Sequence, residues 1–189
     1  MGARARAAQL TREHILDAAV DLFTSRSFDD VTIADIATRA EVSGQTITNH
    51  FGSKDNLYIT GLEERFAPRV NEIRSGVAVG DVASIVAAVV TGYEETGEST
   101  VKMLAQSDQF EALAEVARRG RKAHEDWVSQ MFSPELEAVA DPVRSRLHRM
   151  LCVLLDVYTW HQLRTQDGLS DNEVRDHLAF AIEALLDHS

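Results

Sequence analysis

Between Ser43 and Lys54 the chain sets Gln45, Thr46, Thr48 and Asn49 around two apolar residues, Ile47 and Phe51. On a helix, with Ile47 at 0° and Phe51 at about 40°, Gln45 falls at about 160°, Asn49 at about 200°, Thr46 at about 260° and Thr48 at about 100°. Four polar, uncharged side chains then point away from the core. Gln and Asn each carry a donor and an acceptor on one planar amide, which matches adenine N6 and N7 in the DNA major groove, and a threonine methyl suits the methyl of thymine. An uncharged face also avoids repelling phosphates. Any surface helix shows polar residues, so this pattern acquires meaning only from the elements that would hold it.

Those elements read as two short helices joined by a tight link. Ile33, Ile36, Ala37 and Ala40 follow helical spacing behind Thr32, with Asp35 placed to complete a capping box, and after Glu41-Val42 Ser43 can cap the second helix. These are the dimensions of a helix-turn-helix. Upstream, Ile15, Ala18, Ala19, Leu22 and Phe23 predict a helix over 11–25 behind Thr11; downstream, Gly52-Ser53 restarts the chain into a longer amphipathic helix that Pro68 could kink. Further helices are expected over 81–95, 99–106, 109–132, 143–166 and 171–188. Asp141-Pro142 and Ser133-Pro134 each read as a cap followed by Pro at the first helical position, and Ser170 with Glu173 reads as a capping box. With 24 alanines, three prolines and no strand-like run in 189 residues, the chain is expected to be all-α.

Net charge is −11, yet residues 1–54 hold six Lys or Arg against seven Asp or Glu, so nearly all the acidity lies outside the first quarter. The acidic total counts against a protein coated in basic residues. One cysteine, Cys152, excludes an internal disulfide framework and suits a reducing compartment. The longest uncharged apolar run, Val82 to Tyr93, is too short to cross a membrane, and no apolar stretch follows the first arginines, so a cytoplasmic protein is expected. Enzyme signatures are lacking: His124-Glu125 begins like a zinc-protease motif, but Val128 stands where the second His must be, and no nucleophile elbow, P-loop or dinucleotide glycine pattern occurs. No metal or cofactor is expected.

Val31-Thr32-Ile33-Ala34-Asp35-Ile36-Ala37, Ala40-Glu41-Val42-Ser43, Thr46-Ile47-Thr48-Asn49-His50-Phe51 and Ser53-Lys54-Asp55-Asn56-Leu57 together resemble the TetR family of bacterial transcriptional regulators. The resemblance implies an N-terminal helix-turn-helix DNA-binding domain, 1–54 here, joined to a larger all-helical domain, 55–189, for effector binding and dimerisation. It also implies a palindromic double-stranded operator, a homodimer, a small-molecule effector and most often a repressor; a helix-turn-helix protein that works without an effector is the alternative reading. Position by position, it implies phosphate contacts from Thr32, Lys54 and His50. Thr48 stands where the family more often has Tyr, and Gln45 where it has a small residue. Ser43 and Thr46 complete the expected DNA-facing set. Arg4, Arg6 and Arg12, in an acid-free first dozen residues, either form a solvated tail or an arm of the kind family members lay along the minor groove.

For the larger domain the resemblance directs attention to bulky residues as pocket candidates: Phe66, Tyr93, Met103, Leu104, Phe110, His124, Trp127, Met131 and Trp160. Each could equally be packed core. Leu147, Leu151, Leu154 and Tyr158, then Val174, Leu178, Ile182 and Leu185, make apolar stripes on consecutive helices, expected either to form a two-fold four-helix interface or to face their own core.

Overall fold

The computed structural model describes residues 2–188, and every regular element among them is helical. Two compact units can be told apart. One comprises the chain up to Arg69 together with Lys102–Val116; the other comprises Val70–Val101 and the chain from Ala117 onward.

In the first unit, α1 (Ala3–Ser25), α2 (Ile33–Arg39), α3 (Gly44–Phe51) and α4 (Lys54–Gly61) enclose one core of Ile15, Leu16, Ala19, Val31, Ile36, Ala37, Ile47, Phe51 and Leu57. The expected stripes of α1, α2 and α3 meet there with Leu57 of α4, which is why α2, α3 and α4, each too short to persist alone, hold together. Their starts are fixed by side chains. Thr32 and Asp35 form the capping box of α2, Ser43 accepts from the Thr46 amide, and Ser53 accepts from the Asn56 amide. Gly61 is buried where α4 crosses α1; a Cβ there would lie 3.1 Å from Val20 Cγ2.

A second cluster of the same unit joins Phe28, Tyr58 and Leu113, with Phe23, Leu62, Met103 and Phe110 packed against it. Phe28 meets Tyr58 edge-on with ring centres 5.2 Å apart, and its amide donates to Gln106 Oε1 at 3.0 Å. Burial in this cluster raises the Tyr58 phenol well above its ordinary pKa.

Several boundaries differ from the sequence expectation. Helix α1 starts at Ala3, not Thr11; the alanines and arginines ahead of Thr11 are strong helix formers, and Thr11 returns its hydroxyl to the Ala7 carbonyl at 3.0 Å. A π-helical turn, Leu62–Phe66, precedes α5 (Ala67–Arg74). It absorbs Pro68, which has no N–H to give and whose ring would strike the carbonyl four residues back.

In α6 (Val82–Gln106) the helix runs unbroken through Gly97, where a break was expected. Next come α7 (Glu111–Met131) and α8 (Ser133–Ala138), the second with Pro134 in its first turn. Pro142 itself is the N-cap of α9 (Val143–Leu154), and Asp141 accepts from the Ser145 hydroxyl rather than capping. The single helix expected over 143–166 ends at Leu154, because Asp156 caps a new helix, α10 (Val157–His161), by accepting from the Tyr158 amide. A π-helical turn, Gln162–Gln166, follows α10, and α11 (Asp171–Asp187) opens with the expected Ser170–Glu173 capping box.

Helices α9 and α11 pack together through the apolar stripes read from the sequence. Leu147, Leu151, Val174, Leu178 and Ile182 are all buried within their own unit. Each points into the core of the unit that carries it. Of the eight stripe residues, Leu154 and Leu185 are half-buried and Tyr158 is exposed. The apolar side chains turned to solvent lie beside the stripes, at Met150 and Val153 on α9 and at Phe180, 74% exposed, on α11.

A helix-turn-helix surface and what holds it

Helix α2 ends in a Schellman motif: the Val42 amide donates to the Ala37 carbonyl at 3.0 Å and the Glu41 amide to the Thr38 carbonyl at 3.3 Å. Glu41 takes the left-handed conformation the motif requires, at φ 54°, a position where glycine is the cheaper residue. The reversal sends the chain directly into the Ser43 cap, and α3 then buries Ile47 and Phe51. This fixes the opposite face. Gln45, Thr48 and Asn49 are exposed, while Thr46 and His50 flank them half-buried.

On that face the Gln45 amide donates from Nε2 to Asn49 Oδ1 at 3.0 Å. The pairing leaves the Gln45 carbonyl and the Asn49 NH₂ directed outward, one acceptor and one donor side by side. Ser43 Oγ and Thr46 Oγ1 share a hydrogen bond at 2.8 Å, and Thr48 donates back to the Gly44 carbonyl at 3.1 Å. Their methyl and hydroxyl groups are thereby held in one rotamer. His50 lies at the C-terminal end of the helix, its ring 6.2 Å from that of Phe51.

The residues expected to touch phosphates are positioned by internal contacts. Thr32 Oγ1 accepts from the Asp35 amide and donates to Asp35 Oδ2 at 2.8 Å; together with the Thr32 amide this holds the Asp35 carboxyl below its ordinary pKa. Lys54 Nζ donates to the carbonyls of Phe28 (2.9 Å) and Val31 (3.0 Å) and sits 4.2 Å from the centre of the Phe28 ring. Its ammonium thus ties α4 to the α1–α2 connection, leaving one of its three N–H groups for an anion.

Lys54→Met should therefore cost stability, about 1–3 kcal/mol, in addition to any weakening of DNA binding. A urea titration checks this. An unchanged midpoint would reduce Lys54 to a surface charge.

Arg12 does not reach outward. Its guanidinium grips Glu64 through both oxygens, at 2.5 and 2.7 Å, and lies over the Phe51 ring at 5.2 Å, and the pairing lowers the Glu64 carboxyl. Arg4 and Arg6 are exposed on the first turns of α1, so neither a solvated unordered tail nor an extended arm describes them.

The nine expected pocket residues fall into both units. Phe66, Met103, Leu104 and Phe110 belong to the first, where Met103 and Phe110 pack on Phe28, Tyr58 and Leu113. Tyr93, His124, Trp127, Met131 and Trp160 belong to the second. There Trp160 is buried, its Nε1 donating to Glu94 Oε1 at 3.0 Å, and Met131 is likewise buried. Tyr93 donates to the Leu155 carbonyl at 3.1 Å, and its burial raises the phenol above the ordinary range. Burial lowers the pKa of His124, whose Nε2 faces the Cys152 carbonyl at 3.3 Å. Arg74, absent from the sequence reading, lies over Trp127 with its Cζ 4.4 Å from the ring centre. Burial also raises the Cys152 thiol to about 11, which keeps it protonated and unreactive at neutral pH. Among the described residues no group of three His, Cys, Asp or Glu is placed to hold a metal ion, and no helix is long and apolar enough to cross a membrane.

A capped pair of short helices at a tight turn, its second member presenting an amide-rich face, defines a helix-turn-helix protein. The sequence profile of the bacterial regulatory proteins of the tetR family matches residues 15–59, the segment that carries the helix-turn-helix. The HTH-type transcriptional repressor NicS of Pseudomonas putida is 41% identical over 66 residues, covering 35% of this chain and 31% of that protein. The HTH-type transcriptional regulator AlkX of Mycobacterium tuberculosis is 38% identical over 65 residues, covering 33% and 31%. The match thus spans about a third of the length of these curated relatives.

The fold extends further than the sequence similarity. A transcriptional regulator from Rhodococcus sp. Rha1 superposes with a TM-score of 0.73 at 17% identity, over 94% of this chain and 96% of that one. A regulator from Saccharomonospora viridis, solved in complex with choline, gives 0.69 at 20%, over 93% and 96%.

Proposed function

We propose that the protein is a dimeric transcriptional regulator that reads a palindromic DNA operator through α3 and is released from it by a small-molecule effector. One observation carries the reading: with Ile47 and Phe51 buried, α3 presents the paired amides of Gln45 and Asn49 on its exposed face. Such a pair suits adenine in the major groove, and the threonines beside it suit thymine methyls. The DNA-reading function is assigned to residues 1–54 and the dimer and effector functions to 55–189. Repression is favoured because one of the matched relatives is a repressor, and an effector because a neighbour of the same fold holds choline. A regulator of this kind works beside the chromosome, in the cytoplasm, and carries out no catalysis.

Two recognition helices must address half-sites on one face of DNA, so the reading requires a dimer. The dimer surface is assigned to the exposed apolar residues Met150, Val153, Tyr158 and Phe180, since the neighbouring leucines are already covered. Val153→Asp with Phe180→Asp should convert the protein to a folded monomer in analytical ultracentrifugation, with unchanged helical circular dichroism and at least about a hundredfold weaker operator binding. A variant that stays dimeric would displace the interface to another face.

A further inference from the structure

The second unit holds a cation without a counter-ion. Arg74, at the end of α5, is half-buried against Trp127, and among the described residues no carboxylate lies within ion-pair distance of its guanidinium. Desolvation is the leading influence on it and acts against its charge. A guanidinium removed from water normally has an acid or a row of carbonyls to meet its five N–H groups; here one face has an indole and the fork has no anion.

A second unmet group lies on the same face of α7, one turn before Trp127. His124 Nδ1 is buried with no hydrogen-bond partner. Because Nε2 faces the Cys152 carbonyl, Nε2 carries the proton and Nδ1 presents a lone pair. His124 and Tyr93 bond to carbonyls three residues apart at the end of α9, those of Cys152 and Leu155, and Trp127, which Arg74 covers, follows His124 by three residues on α7. Donors wanting an anion and an acceptor wanting a hydrogen therefore stand together, walled by Trp127 and Tyr93.

We propose that Arg74 and His124 form a binding site for a small aromatic carboxylate that also bears a hydroxyl or N–H. The carboxylate meets the Arg74 fork, the ligand's hydrogen is donated to His124 Nδ1, and its ring packs beside Trp127 and Tyr93. This assignment rests on the effector-responsive reading above and gives that effector its chemical class. It also explains why a half-buried cation persists: its counter-ion arrives with the ligand.

The test uses the full-length protein with the three monohydroxybenzoates and their three neutral amides as probes, read by thermal unfolding and tryptophan fluorescence. At a hundredfold excess over Kd, at least one acid should raise Tm by about 5–10 °C, and its amide should not. Arg74→Met should lose the acid response and, without acid, melt at or above the parent protein, because an uncompensated charge has gone. Arg74→Lys keeps the charge without the fork and should bind the acid about tenfold or more weakly.

Equal responses to acid and amide, an acid response surviving in Arg74→Met, or no response to any acid would overturn the proposal. So would an Arg74→Met protein that melts below the parent, which would make the guanidinium a packing element of Trp127. Operator binding separates this from the reading beneath it. An amide that releases operator DNA would overturn the anionic assignment and leave the effector-responsive regulator intact; absence of sequence-specific DNA binding would remove the regulator while the acid-against-amide comparison still stands by itself.

Discussion

Leu151→Ala should lower stability by about 2–5 kcal/mol, a fall in Tm of about 5–15 °C, and do so independently of protein concentration. Leu151 is fully buried on α9, with Leu147 one turn before it and the Val174, Leu178 and Ile182 stripe on the helix packed against it. Truncation leaves a cavity inside one subunit, so the loss belongs to the fold of the monomer. A residue in an intersubunit seam behaves otherwise: its loss weakens the dimer, and the size of the fall in Tm relative to the parent then varies with concentration. Thermal unfolding at several protein concentrations checks the prediction. A strongly concentration-dependent loss would return Leu151 to the interface.

Gly97→Ala is expected to destabilise by about 1–3 kcal/mol although alanine is the better helix former. A Cβ at residue 97 would lie 2.3 Å from Trp160 Cζ3, with two further ring atoms at 2.7 and 2.8 Å. The indole cannot easily withdraw. It is buried, hydrogen-bonded through Nε1 to Glu94, and set against Tyr93 with ring centres 5.9 Å apart; Arg164 holds the same Glu94 oxygen at 3.0 Å. Gly92 on the same helix is the internal control, since a Cβ there meets nothing within 4 Å. Gly92→Ala should stabilise by about 0.5–1 kcal/mol. Chemical denaturation of both variants reads the contrast, and equal effects of the same sign would refute the close approach of Trp160 to α6.

What the sequence made legible was local. Caps are partly declared by residue type: Thr32, Ser43, Ser53 and Ser170 open helices where their side chains said they would, whereas Thr11 and Ser133 lie inside helices and Asp141 gives way to Pro142 as the cap. The phase of Ile47 and Phe51 orients Gln45 and Asn49 outward without help from the rest of the chain. Contacts distant in sequence were not legible. Gly97 reads as a helix break until Trp160, 63 residues later, is seen to need the space. The apolar stripes of α9 and α11 have the same spacing whether they meet each other or a second subunit, and only burial separates the two. Arg12 and Lys54 carry charges that suggest phosphates, yet Glu64 and two backbone carbonyls claim them. Arg74 escaped notice because nothing in its neighbours along the chain signals that it lies over Trp127. Glu41, finally, occupies a left-handed turn position that glycine would have advertised.

The central claim is that α3 reads a defined DNA sequence. It is tested most directly by selecting bound fragments from the source genome at about 150 mM salt with the parent protein and with Asn49→Ala in parallel, because salt sets the non-specific background. The parent should enrich one palindromic sequence. Asn49→Ala should lose about 1–3 kcal/mol at particular base pairs of that palindrome while keeping its affinity for random DNA. Enrichment of no sequence over random DNA, or a palindrome bound equally well by Asn49→Ala, would contradict it.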